Sequence, residues 1–188
     1  DRIEAKENNI EQIDVVVVNL YPFPQVAVKD DIDLDTKVEN IDIGGPSLIR
    51  AAAKNYKFVS VLTNPEQYGE FIEKLKTGTI DINYRQKLAV AAFSHTAFYD
   101  TVISNYFEKE FNLDKTHIRI NYPLYEHLRY GENPHQKAAF YGSFDKNFEF
   151  LHGKELSYNN IVDLNAAVEL INDMPKVGCA IIKHTNPC

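Results

Sequence analysis

An α/β fold is what this sequence predicts, and three observations carry the prediction. Asp14-Val-Val-Val-Val-Asn19 is a β-branched run of strand length with no polar alternation, the pattern of a central parallel strand covered on both faces. Phe58-Val-Ser-Val-Leu62 is a second such run. Each is followed by helical patterning, and strand, helix, strand, helix is the α/β signature.

The elements follow in order. Residues 1–12 are polar and charged. After the first strand, Leu20-Tyr21-Pro22-Phe23-Pro24 reads as a loop at the strand's carboxyl end, because two prolines oppose both helix and ladder. Asp30, Asp31, Asp33, Asp35 and Glu39 mark a solvated helix start or surface loop. Gly44-Gly45-Pro46-Ser47 reads as a glycine turn with proline opening a short helix through Lys54. Asn64-Pro65-Glu66 supplies an N-cap and first-turn proline for a helix through Lys76, closed by Gly78. From Asn83 to Phe111 apolar residues recur every three or four positions (Leu88, Ala92, His95, Val102, Tyr106), giving one long helix or two in series, with the aromatics as packing surface.

Beyond Asn112 the texture changes, which sets a domain boundary between about 112 and 120. His117–Tyr122, Lys137–Tyr141 and Phe148–Leu151 read as short strands. Asp163–Asp173 reads as a helix, and Gly178–Ile182 as a buried strand delivering Lys183 and His184 to its end.

Composition narrows the function classes. The 188 residues carry 27 acidic and 20 basic side chains, a formal charge of −7, which disfavours a nucleic-acid footprint. With 44% apolar and 25% charged residues the chain is neither disordered nor fibrous. No apolar run approaches the ~20 residues of a membrane helix. The two cysteines, Cys179 and Cys188, form no disulfide framework, and a reducing, cytoplasmic setting follows. A start at Asp1 and an end in turn sequence just past an apolar strand read as a piece of a longer protein, with two incomplete domains.

Four segments place polar groups past strands or glycine turns, where α/β proteins bind ligands. They are Asn19-Leu-Tyr-Pro-Phe23, Ile41-Asp-Ile-Gly-Gly45 with Lys54 downstream, Leu128-Arg-Tyr-Gly-Glu-Asn-Pro-His-Gln136, and Lys183-His-Thr-Asn-Pro-Cys188. Gly44 and Gly45 suit either a plain turn or backbone amides offered to an anion at a helix N-terminus. Lys54 alone reads as a surface lysine. Arg129 with Tyr130 suits gripping a phosphate or flat heterocycle, and equally a structural ion pair. Lys183 beside His184 suits acyl or formyl transfer to an amine, a histidine taking the proton and a lysine stabilising negative charge, against a histidine merely bonded within a turn.

Together, in this order and spacing, the four segments resemble one family, the bifunctional AICAR transformylase / IMP cyclohydrolase of late purine biosynthesis, over nearly the whole chain. The resemblance implies a methylglyoxal-synthase-like cyclohydrolase part over 1–116 and the start of a cytidine-deaminase-like transformylase domain, without zinc, over 117–188. It implies formyl transfer from the co-substrate 10-formyltetrahydrofolate to AICAR, giving FAICAR, and closure of FAICAR to IMP with loss of water. It also implies a homodimer with a transformylase site shared between subunits, and no metal.

Residue by residue, the resemblance puts Asn19 against the nucleotide and Tyr21 on the reacting formyl or carboxamide oxygen. Asp42 and the backbone of Ile43 then orient the carboxamide nitrogen, and Lys54 exchanges protons in ring closure. Arg129 and Tyr130 match AICAR-binding positions, His184 the general base, and Lys183 its neighbouring lysine. The family's opening strand, phosphate-binding loop and further catalytic lysine have no counterpart before Asn19, and its folate-binding residues would follow Cys188. The expectation is therefore two half-sites that are inert in this chain alone. A zinc nucleoside deaminase is the rival enzyme reading, on Asn186-Pro-Cys188, but His152 is followed by Gly153, Lys154 and Glu155 rather than the His-x-Glu that chemistry needs. A non-catalytic nucleotide-binding module is the rival outside catalysis, and it leaves Arg129-Tyr130 and Lys183-His184 without purpose.

Overall fold

The computed structural model describes residues 2–187. Two compact units, Asp1–Arg119 and Ile120–Cys188, make up the chain.

The first unit is built on a parallel strand pair. After a short helix α1 (Arg2–Glu7), β1 (Val15–Val17) pairs with β2 (Ser60–Leu62) in the register Val15↔Ser60, Val16↔Val61, Val17↔Leu62. Parallel strands need a long crossover, here α2 (Phe23–Ala27), α3 (Leu34–Glu39) and α4 (Gly44–Lys54). Two more helices follow, α5 (Gln67–Thr77) and α6 (Ile82–Glu110).

Burial is uneven across the pair. β2 is buried at every position, but β1 is half-covered and Val17 is 53% exposed. The Val15–Val18 run is thus parallel but not enclosed on both faces, since β2 flanks it on one side and only Val15, Val16 and Val18 pack on the core.

That core joins Ile49, Ala52 and Ala53 of α4 to Val61 and Leu62 of β2 and to Leu88, Ala89 and Ala92 of α6. Each large aliphatic buried this fully contributes about 1.5–3 kcal/mol. The periodic stretch resolves as one helix of 29 residues, whose inward stripe Tyr84, Leu88, Ala92, Thr96, Tyr99 steps by three and four. Asp81 caps it, accepting from the Tyr84 N–H at 2.8 Å. Arg85 clamps its first turn to the Tyr56 and Ile80 carbonyls.

Three local expectations are corrected here. The prolines after β1 do not exclude helix: Pro22 is the N-cap of α2 and Pro24 lies in its first turn, where the missing N–H would lack a partner anyway. Gly44 and Gly45 are the first residues of α4 rather than a turn before it. Asn64 does not cap α5; its side chain accepts from the Glu66 N–H in a turn, and the helix begins at Gln67. Gly78 does close α5, in the left-handed conformation.

The second unit contains the antiparallel pair β3 (Leu124–Leu128) and β4 (Ala138–Tyr141), a 3₁₀ turn at Phe144–Lys146, helix α7 (Tyr158–Asn172), and the hairpin β5 (Ile182–Lys183) and β6 (Asn186–Pro187). Tyr125, Phe140, Phe144 and Phe148 form its aromatic cluster, ring centroids 5.1–6.0 Å apart.

Here too the patterning misleads in places. Residues 117–122 and 148–151 form no strand. Gly178–Ile181 is not a buried strand; Ile181 is 70% exposed and pairing begins only at Ile182. The helix starts at Tyr158, ahead of Asp163, because Ser157 and Asn160 close a capping box there.

Candidate functional site

Parallel pairing brings the carboxyl ends of β1 and β2 to one edge, and the residues leaving both strands wall a cleft of about 300 Å³. Asn19 and Tyr21 come from the first strand, Thr63 and Asn64 from the second, and His95 and Tyr99 from α6. The Asn19 side-chain amide is held by the Tyr68 hydroxyl, 3.0 Å from Nδ2 and 3.2 Å from Oδ1.

Asp42 organises the approach to the cleft. Its Oδ1 accepts from the Gly45 N–H at 2.7 Å and its Oδ2 from the Tyr21 N–H at 3.3 Å. The carboxylate thus pins the Tyr21 loop to the start of α4, where a negative charge also meets the positive helix terminus. Its own N–H donates to the Tyr99 hydroxyl at 2.9 Å, and that hydroxyl donates to the Asn40 carbonyl at 3.2 Å. Burial pushes the Tyr99 phenol up, so it stays a neutral relay.

Gly45 is required by this packing: a Cβ there would lie 2.6 Å from both Asp42 Oδ2 and Leu20 Cδ2. The Gly45 amide is therefore engaged by the chain's own carboxylate rather than held open for an anion. Ile43, at the N-cap of α4, is 76% exposed.

The structure places Asn19 and Tyr21 in the wall of one cleft and bonds Asp42 to the Tyr21 backbone, while no bond among the described residues links Lys54 to them. Lys54 ends α4, ten residues and about 15 Å along the axis from Gly44, and among the described residues it makes no hydrogen bond or ion pair. His95 is what the sequence reading missed. Its place in an apolar stripe marked it as packing, yet it lines the cleft, its Nε2 is shielded from solvent without a hydrogen-bond partner, and burial pulls its imidazole below the ordinary value.

In the second unit, the 129–136 loop is fastened to the start of α7. The Arg129 N–H donates to the Leu156 carbonyl at 2.9 Å and the Tyr158 N–H to the Tyr130 carbonyl at 3.2 Å. The Arg129 guanidinium lies over the Tyr130 ring, 5.2 Å from its centroid. Gln136 closes the loop through Gly131 and Asn133, and a Cβ at Gly131 would meet Gln136 Cβ at 2.9 Å.

His184 sits in the two-residue turn between β5 and β6. His184 and Thr185 both have positive φ, 55° and 61°, the geometry of a primed hairpin turn. The Thr185 N–H donates to Asp163 Oδ1 at 2.7 Å, which moors the turn to α7. Tyr158 and Asp163 are separated by five residues, about 7.5 Å of helix. Arg129, Tyr130 and His184 therefore hang from the first turns of one helix, with Lys183 and His184 exposed to solvent. Among the described residues no cluster of three His, Cys, Asp or Glu could hold a metal, and no helix is long and apolar enough to cross a membrane. Cys188, the last residue of the fourth segment, lies outside the described residues.

A cleft at the carboxyl ends of parallel strands is where open α/β proteins take their ligands, and the first unit is of that class. The model of the AICARFT/IMPCHase bienzyme family matches residues 52–188, and the chain belongs to that family. It is 47% identical to the bifunctional purine biosynthesis protein PurH of Persephonella marina, over 98% of this chain and 38% of that protein. It is 49% identical to the PurH of a Thermoanaerobacter species, over 97% and 37%. The chain thus spans less than two-fifths of the length of these curated relatives. Among solved structures it is similar to the crystal structure of ForH, with 31% identity and a TM-score of 0.50 over 56% of each chain.

Proposed function

We propose that the protein containing this chain performs the last two steps of IMP synthesis, and that the chain supplies part of each site. Residues 1–116 are read as the C-terminal part of a methylglyoxal-synthase-like cyclohydrolase domain, and 117–188 as the N-terminal part of a cytidine-deaminase-like transformylase domain. In the second site, the 5-amino group of AICAR attacks the formyl carbon of 10-formyltetrahydrofolate. His184 takes the amine proton, the C–N bond to folate N10 breaks as N10 gains a proton, and Lys183 stabilises the developing charge. Arg129 and Tyr130 hold AICAR. The folate co-substrate is bound mostly by residues beyond this chain, in a cytoplasmic homodimer, without a metal.

In the first site, the carboxamide nitrogen of FAICAR closes on the formyl carbon and water leaves. An amide nitrogen is a poor nucleophile, so closure depends on orientation beside that carbon and on charge stabilisation of the departing oxygen. Asn19 holds the nucleotide, Tyr21 hydrogen-bonds the reacting oxygen, and Asp42 with the Ile43 backbone orients the amide. Lys54 is assigned the proton exchange.

The observation that carries the reading is that Asn19 and Tyr21 share the wall of one cleft, with Asp42 bonded to the Tyr21 backbone, in a chain of this family. In full-length protein, His184→Ala is expected to lower formyl transfer roughly 10²- to 10⁴-fold, the worth of a positioned base, and to leave cyclisation of supplied FAICAR intact. Lys54→Ala is expected to do the reverse. Mutants that lose both activities together sink the division of labour, and turnover by the 188-residue chain alone sinks the half-site reading.

A further inference from the structure

We infer that His95 is a further substrate-binding residue of the Asn19–Tyr21 cleft, its Nε2 completed by a hydrogen bond to the amide-bearing heterocycle bound there. This rests on the cyclohydrolase reading of that cleft.

The first observation is an imbalance of partners. Several polar groups around the cleft are already engaged: the Asn19 amide by Tyr68, the Tyr21 N–H by Asp42, the Tyr99 hydroxyl by Asp42 and Asn40, and the Thr63 and Asn64 N–H groups by Gln67 Oε1. His95 Nε2 is shielded from solvent and has none. Buried polar atoms are nearly always bonded, and a turn of the imidazole about its Cβ–Cγ bond on binding would present Nε2 to a ligand in the cleft.

The second observation separates His95 from the other shielded, unbonded side-chain atoms among the described residues, Tyr84 Oη and Glu108 Oε2. Neither lines this cleft. Tyr84 lies under the Lys74 ammonium, 5.0 Å from its ring centroid, and the other oxygen of Glu108 is paired with Arg119 at 2.8 Å. Of these three shielded atoms, only His95 Nε2 belongs to a residue in the wall of the cleft.

Chemistry then selects the ligand class. Burial keeps the imidazole uncharged near neutral pH, and a neutral imidazole presents Nε2 as donor or acceptor according to its tautomer. A carboxamide or formamide carries both a C=O and an N–H, so either tautomer finds its complement. A phosphate would instead call for a cation.

The test uses full-length protein, supplied FAICAR and the variants His95→Leu, His95→Gln and Asn19→Ala. For His95→Leu, KM in cyclisation is expected to rise roughly three- to tenfold, the range one neutral hydrogen bond supplies, with kcat and formyl transfer nearly unchanged. His95→Gln places an amide nitrogen near the Nε2 position and is expected to restore KM. Unchanged KM in His95→Leu means that no ligand atom reaches Nε2 and overturns the inference. Equal loss in the Leu and Gln variants, or loss of formyl transfer alongside, marks a packing role and overturns it too. Full cyclisation by Asn19→Ala would defeat the reading of the cleft itself, whatever His95 does.

Discussion

Asp42 Oδ1 lies 2.7 Å from the Gly45 amide nitrogen, and Gly45 has no room for a Cβ because that same carboxylate fills the space. The pair is mutually dependent: the glycine makes room for the acid, and the acid accepts an N–H from the first turn of the helix in which the glycine lies. Gly45→Ala forces Asp42 or Leu20 to move. It is expected to destabilise the full-length protein by about 1–3 kcal/mol, seen as a lower denaturant midpoint with unchanged slope, and to reduce cyclisation more than formyl transfer. A midpoint equal to wild type would mean that the contact relaxes freely.

Removing the carboxylate tests the other half of the pair. Asp42→Ala frees the Gly45 and Tyr21 N–H groups at once, and loss of a helix-end acceptor costs about 0.5–2 kcal/mol. Asp42→Asn keeps an oxygen for the Gly45 N–H and is expected to recover most of the stability. Under the proposed function it does not recover cyclisation, because the charge that orients the substrate amide is gone. Recovery of both by Asn would make Asp42 purely architectural.

How far the sequence foretold this arrangement depends on the range of the interactions involved. The strand pair, the 29-residue helix and the Gly78 stop were legible because apolar spacing and cap chemistry are local. Asn19 and Tyr21 were legible as residues of a cleft wall because they leave the carboxyl end of a strand. What stayed hidden is non-local. Tyr68 reaches Asn19 across 49 positions and Tyr99 reaches Asp42 across 57. His95 fits an apolar stripe so well that its missing partner shows only in three dimensions. In the second unit short strands compete with turns, so 117–122 resembled a strand that pairing placed at 124–128 instead. Lys54 was grouped with Asp42 by motif, and among the described residues no bond joins the two.

The His95 imidazole gives an acid-limb signature. Burial depresses its folded-state value, so the unfolded chain binds the proton more readily. Stability is then full above the unfolded value of about 6.5 and declines as pH falls through the depressed folded one. Denaturant midpoints measured from pH 7.5 down to 5 are expected to fall for wild type and to fall less steeply for His95→Leu. Parallel curves would show that His95 titrates alike in both states.

Ser157 offers a test confined to the second unit. It is 1% exposed, its side chain accepts from the Asn160 N–H, and Asn160 Oδ1 accepts in return from the Ser157 N–H at 3.0 Å. Ser157→Ala removes one arm of the capping box that starts α7, worth about 0.5–2 kcal/mol. Because the Arg129–Tyr130 loop bonds to Leu156 and Tyr158 on either side of this residue, fraying there is expected to raise KM for AICAR while KM for FAICAR in cyclisation holds. A shift in the FAICAR value alone would contradict the assignment of the loop to AICAR.

Asp163 holds the His184 turn without itself facing a reacting group in the proposed mechanism. Its Oδ1 takes the Thr185 N–H at 2.7 Å, and Thr185 keeps a φ of 61° that a β-branched residue rarely adopts. Cutting this bond lets the turn relax toward ordinary dihedrals and carries the His184 imidazole out of register with the amine. Asp163→Ala is therefore expected to lower kcat for formyl transfer about tenfold, the cost of displacing a base by a fraction of an ångström, with KM for AICAR unchanged. Asp163→Asn keeps an acceptor oxygen for the same N–H and should recover most of that loss. If the Asn variant is as slow as Ala, the carboxylate acts through its charge on His184 rather than through the turn, and the pH–rate profile will shift to show it.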